Sequence, residues 1–263
     1  MKTIGVIPAR WGSKRFEGKI LKTINGKSMI QLVWEAASKS KLLDDLIIAT
    51  DNQEILDETK RFKAKAVLTS VDQPSGTDRI GEVVNQIDAE IIVNIQGDEP
   101  MVNSTMIDNL VSLFKSPEEE IQMATVVKKI TDKKEIFNPN IVKVVLDRKN
   151  YAIYFSRSPV PYNRKWSECG INTLGADYDS SQIPCNIHYY KHIGLYAYTK
   201  DFLYVYTNLP VSVLEKSEKL EQLRALENGY RIKTVETDIE TVGVDTPEDL
   251  EKLKRLMEKD SYE

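Results

Sequence analysis

Ile4-Gly5-Val6-Ile7, running straight into Pro8-Ala9-Arg10-Trp11-Gly12-Ser13-Lys14-Arg15-Phe16-Glu17-Gly18-Lys19, decides how the rest of this 263-residue chain is read. An apolar run without polar alternation predicts a strand covered on both faces, as in a parallel sheet. Leu46-Ile47-Ile48-Ala49, Ala66-Val67-Leu68 and Ile91-Ile92-Val93-Asn94-Ile95 read the same way. Between them lie amphipathic stretches with helix starts. Ser28-Met29-Ile30-Gln31 has the capping-box form, with Ile30, Val33, Ala36 and Ala37 on one face. Asp51-Asn52-Gln53-Glu54 caps the next helix, and Thr77 or Asp78 the one after. Strand–helix alternation of this kind implies an α/β fold with a doubly wound, mostly parallel, Rossmann-like sheet.

From about Asn138 the rhythm changes. Ile141–Leu146 and Tyr151–Phe155 predict an antiparallel hairpin around Asp147–Asn150. Residues 158–190, rich in Pro, Asn, Gly, Ser and Tyr, form a long irregular excursion of the kind used as a lid or binding segment. A strand Ile193–Tyr198, a helix around Leu220–Leu226 and a strand Ile232–Val235 follow. Thr246 as N-cap, Pro247 at the first helical position, and Glu248 and Asp249 in the first turn open a last helix. The expected organisation is a single domain, 1–263, with a smaller antiparallel lobe embedded at roughly 138–210.

Charged residues make up 29% and hydrophobic ones 41% of the chain, and the net charge of −4 is spread over interleaved acids and bases. That balance argues against a nucleic-acid-coating protein, which would present a basic face. The two cysteines, Cys169 and Cys185, are too few for a secreted disulfide framework and read as incidental thiols. No run reaches the roughly 18 apolar residues of a membrane span, and the N-terminal apolar core is too short for a signal peptide. The expected location is the cytoplasm.

Ligands of open parallel sheets bind beyond the carboxyl ends of the strands, so chemistry is sought in the residues after each strand. After the first comes a basic loop with Gly12 and Gly18 in which Arg10, Arg15 and Lys19 could clamp a triphosphate of about four negative charges. The loop carries neither the Gly-Lys-Ser/Thr of a P-loop nor a Gly-x-Gly-x-x-Gly, which disfavours a dehydrogenase; a solvated basic turn is the plainer alternative. After the third strand, Ser75-Gly76-Thr77 offers polar groups for the edge of a base, or is an ordinary loop capped by Thr77 at a helix start. After the fourth, Gln96-Gly97-Asp98-Glu99-Pro100 is either a turn or a carboxylate site for Mg²⁺ beside phosphates. Asp245, next to the last helix start, would complete a two-carboxylate site with Asp98. His188 and His192, four apart, lack a third ligand for zinc.

These segments, taken in order, resemble the CMP-Kdo synthetases, cytidylyltransferases that activate Kdo (3-deoxy-manno-octulosonate). The match runs through Ile7-Pro8-Ala9-Arg10, Gly18-Lys19, Ala49-Thr50-Asp51, Ser75-Gly76-Thr77-Asp78-Arg79, Asn94–Pro100, Asn138-Pro139, Val142–Val145, Tyr154–Ser158, His192-Ile193-Gly194, Leu220–Arg224 and Gly243–Leu250. The resemblance implies transfer of CMP from CTP to the anomeric hydroxyl of Kdo, for lipopolysaccharide synthesis, by a homodimer that contacts neither nucleic acid nor membrane. It implies that Arg10, Arg15 and Lys19 hold the CTP phosphates, with Pro8 and Ala9 also binding the nucleotide, that Ser75, Gly76 and Thr77 read cytosine, and that Asp98 and Asp245 hold Mg²⁺. Arg10, Lys19, Asp98 and Asp245 would carry catalysis. Arg79, Gln96, Arg157, His192, Glu221 and Gln222 would line the sugar-acid pocket, with Arg157 or Arg79 on its carboxylate. Two features depart from the family: Phe16-Glu17 stands where Leu-Pro is usual, and Lys165–Tyr190 is longer than in the commonest members. A related acidic sugar (8-amino-Kdo or a nonulosonic acid) and a non-catalytic nucleotide-binding protein are the alternatives.

Overall fold

Ile4, Val6 and Ile7 are almost wholly buried, and the strand they belong to, β1 (Thr3–Ala9), is flanked on both sides by parallel neighbours. The computed structural model describes residues 1–12, 16–164 and 187–259. Its other strands are β2 (Thr23–Ile24), β3 (Lys27–Ser28), β4 (Asp45–Thr50), β5 (Lys65–Leu68), β6 (Ile91–Asn94), β7 (Met123–Lys129), β8 (Lys143–Leu146), β9 (Ala152–Ser156), β10 (Tyr190–Thr199) and β11 (Lys233–Glu236). The chain divides into two units. One comprises Met1–Gln122, Gly194–Asn208 and Ile239–Glu263; the other comprises Met123–Ile193 and Leu209–Asp238.

In the first unit β1 pairs in parallel with β4 and β6, and β4 with β5; the 196–199 half of β10 runs antiparallel along β6. This is a mixed, mostly parallel sheet with helices between its strands, the fold the sequence predicts. The register Ala9↔Thr50 brings the loops after β1 and β4 out at one edge. Helices α1 (Met29–Ala37), α2 (Gln53–Arg61), α3 (Gly76–Val84) and α4 (Ser104–Ser112) follow in turn.

Three local expectations are corrected. The Ala66–Leu68 run is not buried: β5 pairs only with β4, and Val67 and Leu68 are 36% and 53% exposed, because an apolar run also suits an edge strand. Ser28 precedes α1 but makes no side-chain cap, and its buried hydroxyl has no hydrogen-bond partner among the described residues. Ser75, rather than Thr77 or Asp78, caps α3, its hydroxyl accepting from the Asp78 N–H; Thr77 lies buried within the helix. The Asn52 cap of α2 forms as expected, accepting from the Glu54 and Ile55 N–H groups.

The second unit pairs β7 with β11 in parallel and β8 antiparallel with β9 on one side and with residues 190–191 of β10 on the other. It holds the helices α5 (Lys134–Phe137), α7 (Val213–Glu218) and α8 (Leu223–Glu227), whereas α6 (Lys200–Asn208) belongs to the first unit. The unit thus begins before residue 138, because β7 pairs with β11, and residues 194–208 fall outside it. The predicted hairpin is present, with a register shift between Val145 and Leu146. Cys169, Cys185, Arg15 and most of the long excursion lie outside the described residues. No helix among the described residues is long and apolar enough to cross a membrane.

Candidate active site

Three loops of the first unit meet around Pro8, at the carboxyl end of β1. A Cβ placed on Gly97 would stand 2.9 Å from the Pro8 carbonyl, and one on Gly76 would stand 3.3 Å from the Pro8 ring. Only glycine lets the loop after β6 close onto β1 this tightly, and at the start of α3 any larger residue would press on the Pro8 ring. The segments expected to hold phosphates, base and metal are therefore neighbours.

At their centre lies Lys19, which is 8% exposed. Gly18, at φ +62, turns the basic loop into the short helical turn Lys19–Leu21, a conformation glycine adopts without strain. The Lys19 Nζ donates to Asp98 Oδ2 at 2.6 Å, to Asp245 Oδ1 at 3.0 Å and to the Val244 carbonyl at 3.0 Å. All three of its protons are thus used. Burial alone would lower the Lys19 pKa, but the charges and hydrogen bonds of Asp98 and Asp245 outweigh it and raise it above the usual lysine value.

Asp245 reaches this point because the C-terminal helix α9 (Pro247–Lys259) docks by apolar contact. Val244, Leu250 and Leu253 cluster with Ile24 and Met29, and Phe16 packs against the group. Each such buried side chain contributes about 1.5–3 kcal/mol. The Val244 N–H then donates to the Asp98 carbonyl at 2.9 Å, tying the two acidic segments together. Thr246 caps α9 as expected: its hydroxyl accepts from the Asp249 N–H, while the Asp249 carboxylate accepts from the Thr246 hydroxyl and from the Asp245 and Thr246 N–H groups.

The first loop is braced from the side. Asp51 accepts from the Trp11 N–H at 3.1 Å and from Arg79 at 2.8 Å. The Trp11 indole donates to Glu17 at 3.2 Å, so the unusual Phe16-Glu17 pair is accommodated by apolar packing on one residue and a loop-spanning bond on the other. Arg10 is exposed at the loop's start. The Ser75 hydroxyl also donates to Asp78. Gln96 donates to the Asn94 side chain at 2.9 Å.

Arg79 is not presented as a sugar ligand. It is 2% exposed, and its guanidinium is committed to Asp51, to the Thr69 hydroxyl and to the Ser70 carbonyl. Of the two arginines considered for a carboxylate, Arg157 remains.

Gln96, like Arg79, belongs to the first unit, whereas Arg157, His192, Glu221 and Gln222 belong to the second. Arg157 follows β9, and α8 packs against that strand. The His192 ring lies edge-on to Phe155, with centroids 5.1 Å apart, and shares a 3.0 Å hydrogen bond with the Thr125 hydroxyl. Burial pushes the His192 pKa down to about 3, so the ring is neutral near pH 7. Gln222 is 4% exposed, and its side-chain nitrogen has no hydrogen-bond partner among the described residues. A buried unmet donor of this kind suits a ligand acceptor. Glu221 is half-buried beside it.

Sequence reasoning assigned no role to Glu99, Asp51, Lys143 or Glu218. Glu99 accepts from the Gly194 N–H, and burial followed by the charge of Asp98 pushes its pKa up to about 7. A lysine inside the apolar run Ile141–Leu146 was the visible sign that position 143 is special.

A sequence model of the cytidylyltransferases matches residues 4–239. The 3-deoxy-manno-octulosonate cytidylyltransferase of Solibacter usitatus (strain Ellin6076) is 49% identical over 255 residues, covering 97% of this chain and 94% of that one. That of Geotalea daltonii (strain DSM 22248 / JCM 15807 / FRC-32) is 44% identical over 261 residues, covering 98% and 100%. A solved CMP:2-keto-3-deoxy-manno-octonic acid synthetase complexed with CTP superposes with a TM-score of 0.87 at 38% identity, covering 99% of this chain and all of that one. With the geometry around Pro8 and Lys19, these likenesses make the chain a member of the cytidylyltransferase family, in its 3-deoxy-manno-octulosonate branch.

Proposed function

We propose that this chain transfers CMP from CTP to the anomeric hydroxyl of Kdo, releasing pyrophosphate, as a cytoplasmic, Mg²⁺-dependent homodimer serving lipopolysaccharide synthesis. Its relatives' names support the nucleotide and the sugar; the location, assembly and pathway rest on the family resemblance. The observation that carries the chemistry is the convergence of Asp98 and Asp245 on one buried ammonium.

That convergence fits a divalent ion. Carboxylate oxygens 2.6 and 3.0 Å from a single nitrogen frame one cation-sized position, and hard oxygen donors suit Mg²⁺, which takes one or two carboxylates together with phosphate oxygens and water. Asp98 and Asp245 would hold it; when bound there, it supplies charge neutralisation at the α-phosphate and a lowered pKa for the attacking hydroxyl. In the reaction, the anomeric oxygen bonds to the α-phosphorus as the bond to the β-bridging oxygen breaks, and the hydroxyl proton passes to solvent. The chain's part is positioning and charge stabilisation: Lys19 and Arg10 on the phosphates, the start of α3 on the base. Neutral His192 and the Gln222 amide serve as uncharged partners for sugar hydroxyls.

The test is pyrophosphate release with each of the four nucleotides and with Kdo, 8-amino-Kdo and a nonulosonic acid. CTP with Kdo should give the highest kcat/KM. Preference for another sugar acid would move the substrate, and absence of Mg²⁺-dependent release with every pair would contradict the reading.

A further inference from the structure

Lys143 is 0% exposed, at the centre of a three-strand set in which it faces Ser156 on β9 and Lys191 on β10. A buried ammonium is costly unless its protons are all accepted. Here they are: Nζ donates to the carbonyls of Asn138 at 2.8 Å, Ile141 at 2.7 Å and Arg157 at 2.6 Å. These acceptors come from the loop before β8 and the loop after β9, so one side chain ties both to the sheet. A buried methionine would fill the space without that cost, so the charge is there for something other than packing.

What it ties down is Arg157. The Arg157 N–H donates to Glu218 Oε2 at 3.0 Å, Nε donates to the Glu218 carbonyl at 2.8 Å, and NH1 donates to the Pro139 carbonyl at 3.0 Å. Ser156 adds a 2.6 Å bond to Glu218. With the Arg157 carbonyl held by Lys143, the residue is fixed at backbone and guanidinium alike. NH2 is left with no partner among the described residues. An arginine held this way is pre-organised to take a carboxylate, since little rotamer freedom is lost on binding.

We propose that Lys143 is a positioning residue for the sugar-acid substrate: it locks the Arg157 loop so that the free edge of the guanidinium is presented to the substrate carboxylate. This rests on the reading of Arg157 as that carboxylate's partner.

Burial, then the nearby Arg157 charge, pull the Lys143 pKa down to about 8, with Glu218 opposing. Across the strand, Lys191 is paired with Glu135. Loss of the Lys143 proton above pH 8 removes one of the three donated bonds, and the loop loosens without any change in sequence.

The experiment compares Lys143→Met, Lys143→Gln and Arg157→Ala with wild type, reading KM for Kdo, KM for CTP, kcat and thermal midpoint. Lys143→Met is expected to raise the Kdo KM about tenfold, the size typical of losing a partner that orients a ligating side chain, with the CTP KM unchanged. Lys143→Gln, which keeps two donors, should recover part of the loss. If Lys143→Met does not fold, Lys143→Gln and the wild-type pH profile decide, the latter with a Kdo KM rising above pH 8 and a flat CTP KM. A lower thermal midpoint with both KM values unchanged overturns the proposal and leaves Lys143 structural. An Arg157→Ala enzyme with normal Kdo KM overturns the Arg157 reading and this inference with it; an Arg157→Ala defect with normal Lys143 variants overturns this inference alone.

Discussion

The ammonium of Lys19 lies 2.6 Å from Asp98, and Asp245 closes the other side at 3.0 Å. A side chain of the protein itself occupies the place between the carboxylates that the proposed divalent cation would take. On the proposed reading phosphate and carboxylate would compete for Lys19, and Lys19 and the metal for the carboxylates; CTP, by drawing the ammonium onto its phosphates, would free the acids. Lys19→Met should then bind Mn²⁺ about tenfold more tightly than wild type in the absence of nucleotide, while losing CTP affinity. Mn²⁺ titration followed by electron paramagnetic resonance reads this directly; equal or weaker Mn²⁺ binding in the variant would contradict it.

Asp98→Asn keeps the shape of the side chain and removes its charge. Turnover at saturating Mg²⁺ should fall by about 100-fold or more, in line with removing one preorganised electrostatic group, with circular dichroism unchanged. Substantial pyrophosphate release from a folded variant would defeat the assignment of Asp98.

Arg79 and Asp51 form a buried pair, 2% and 14% exposed at their side chains. Arg79→Ala leaves Asp51 without its counter-charge and should cost about 3–5 kcal/mol in denaturant unfolding. It also removes a brace of the Trp11 N–H. Were Arg79 instead a sugar ligand, the variant would keep its stability and raise only the Kdo KM.

The places where sequence reasoning succeeded and failed share a cause. Ile4–Ile7 and Ile91–Ile95 were legible as strands because burial on both faces leaves no polar alternation. Ala66–Leu68 looked the same in sequence, yet what separates an edge strand from a central one is a neighbour, and the run itself does not name its neighbours. Ser28 had the spacing of a cap, and Thr77 or Asp78 was the expected cap of α3, yet Ser75 takes that place; the choice is made by backbone geometry. The site fared alike. Asp98, Asp245 and Lys19 were identified by residue type beyond strand ends, but that Lys19 would stand between the acids is a three-body fact that spacing does not contain. Arg79 carried the right charge in the right segment, and Asp51, far along the chain, claimed it.

Stability should carry a histidine signature in acid. The folded-state pKa of His192 is about 3, against 6.5 for an unperturbed histidine, so below pH 6.5 the unfolded chain takes a proton that the folded one refuses. Its contribution is present above pH 6.5 and is lost as pH falls toward 3. Glu99, raised to about 7, acts with the opposite sign between pH 4.5 and 7, so the comparison is between proteins and not between pH values alone. His192→Gln should show a shallower loss of stability than wild type between pH 6.5 and 4 in denaturant titrations. Identical slopes would mean that the ring is freely protonated in the fold.

The account stands most directly on where a metal goes when CTP is bound. Anomalous diffraction from a crystal grown with CTP and Mn²⁺ should place a peak within coordination distance of both Asp98 and Asp245, with Lys19 turned onto the triphosphate. A Mn²⁺ peak that touches neither carboxylate, or Lys19 still seated between them with CTP in place, would contradict it.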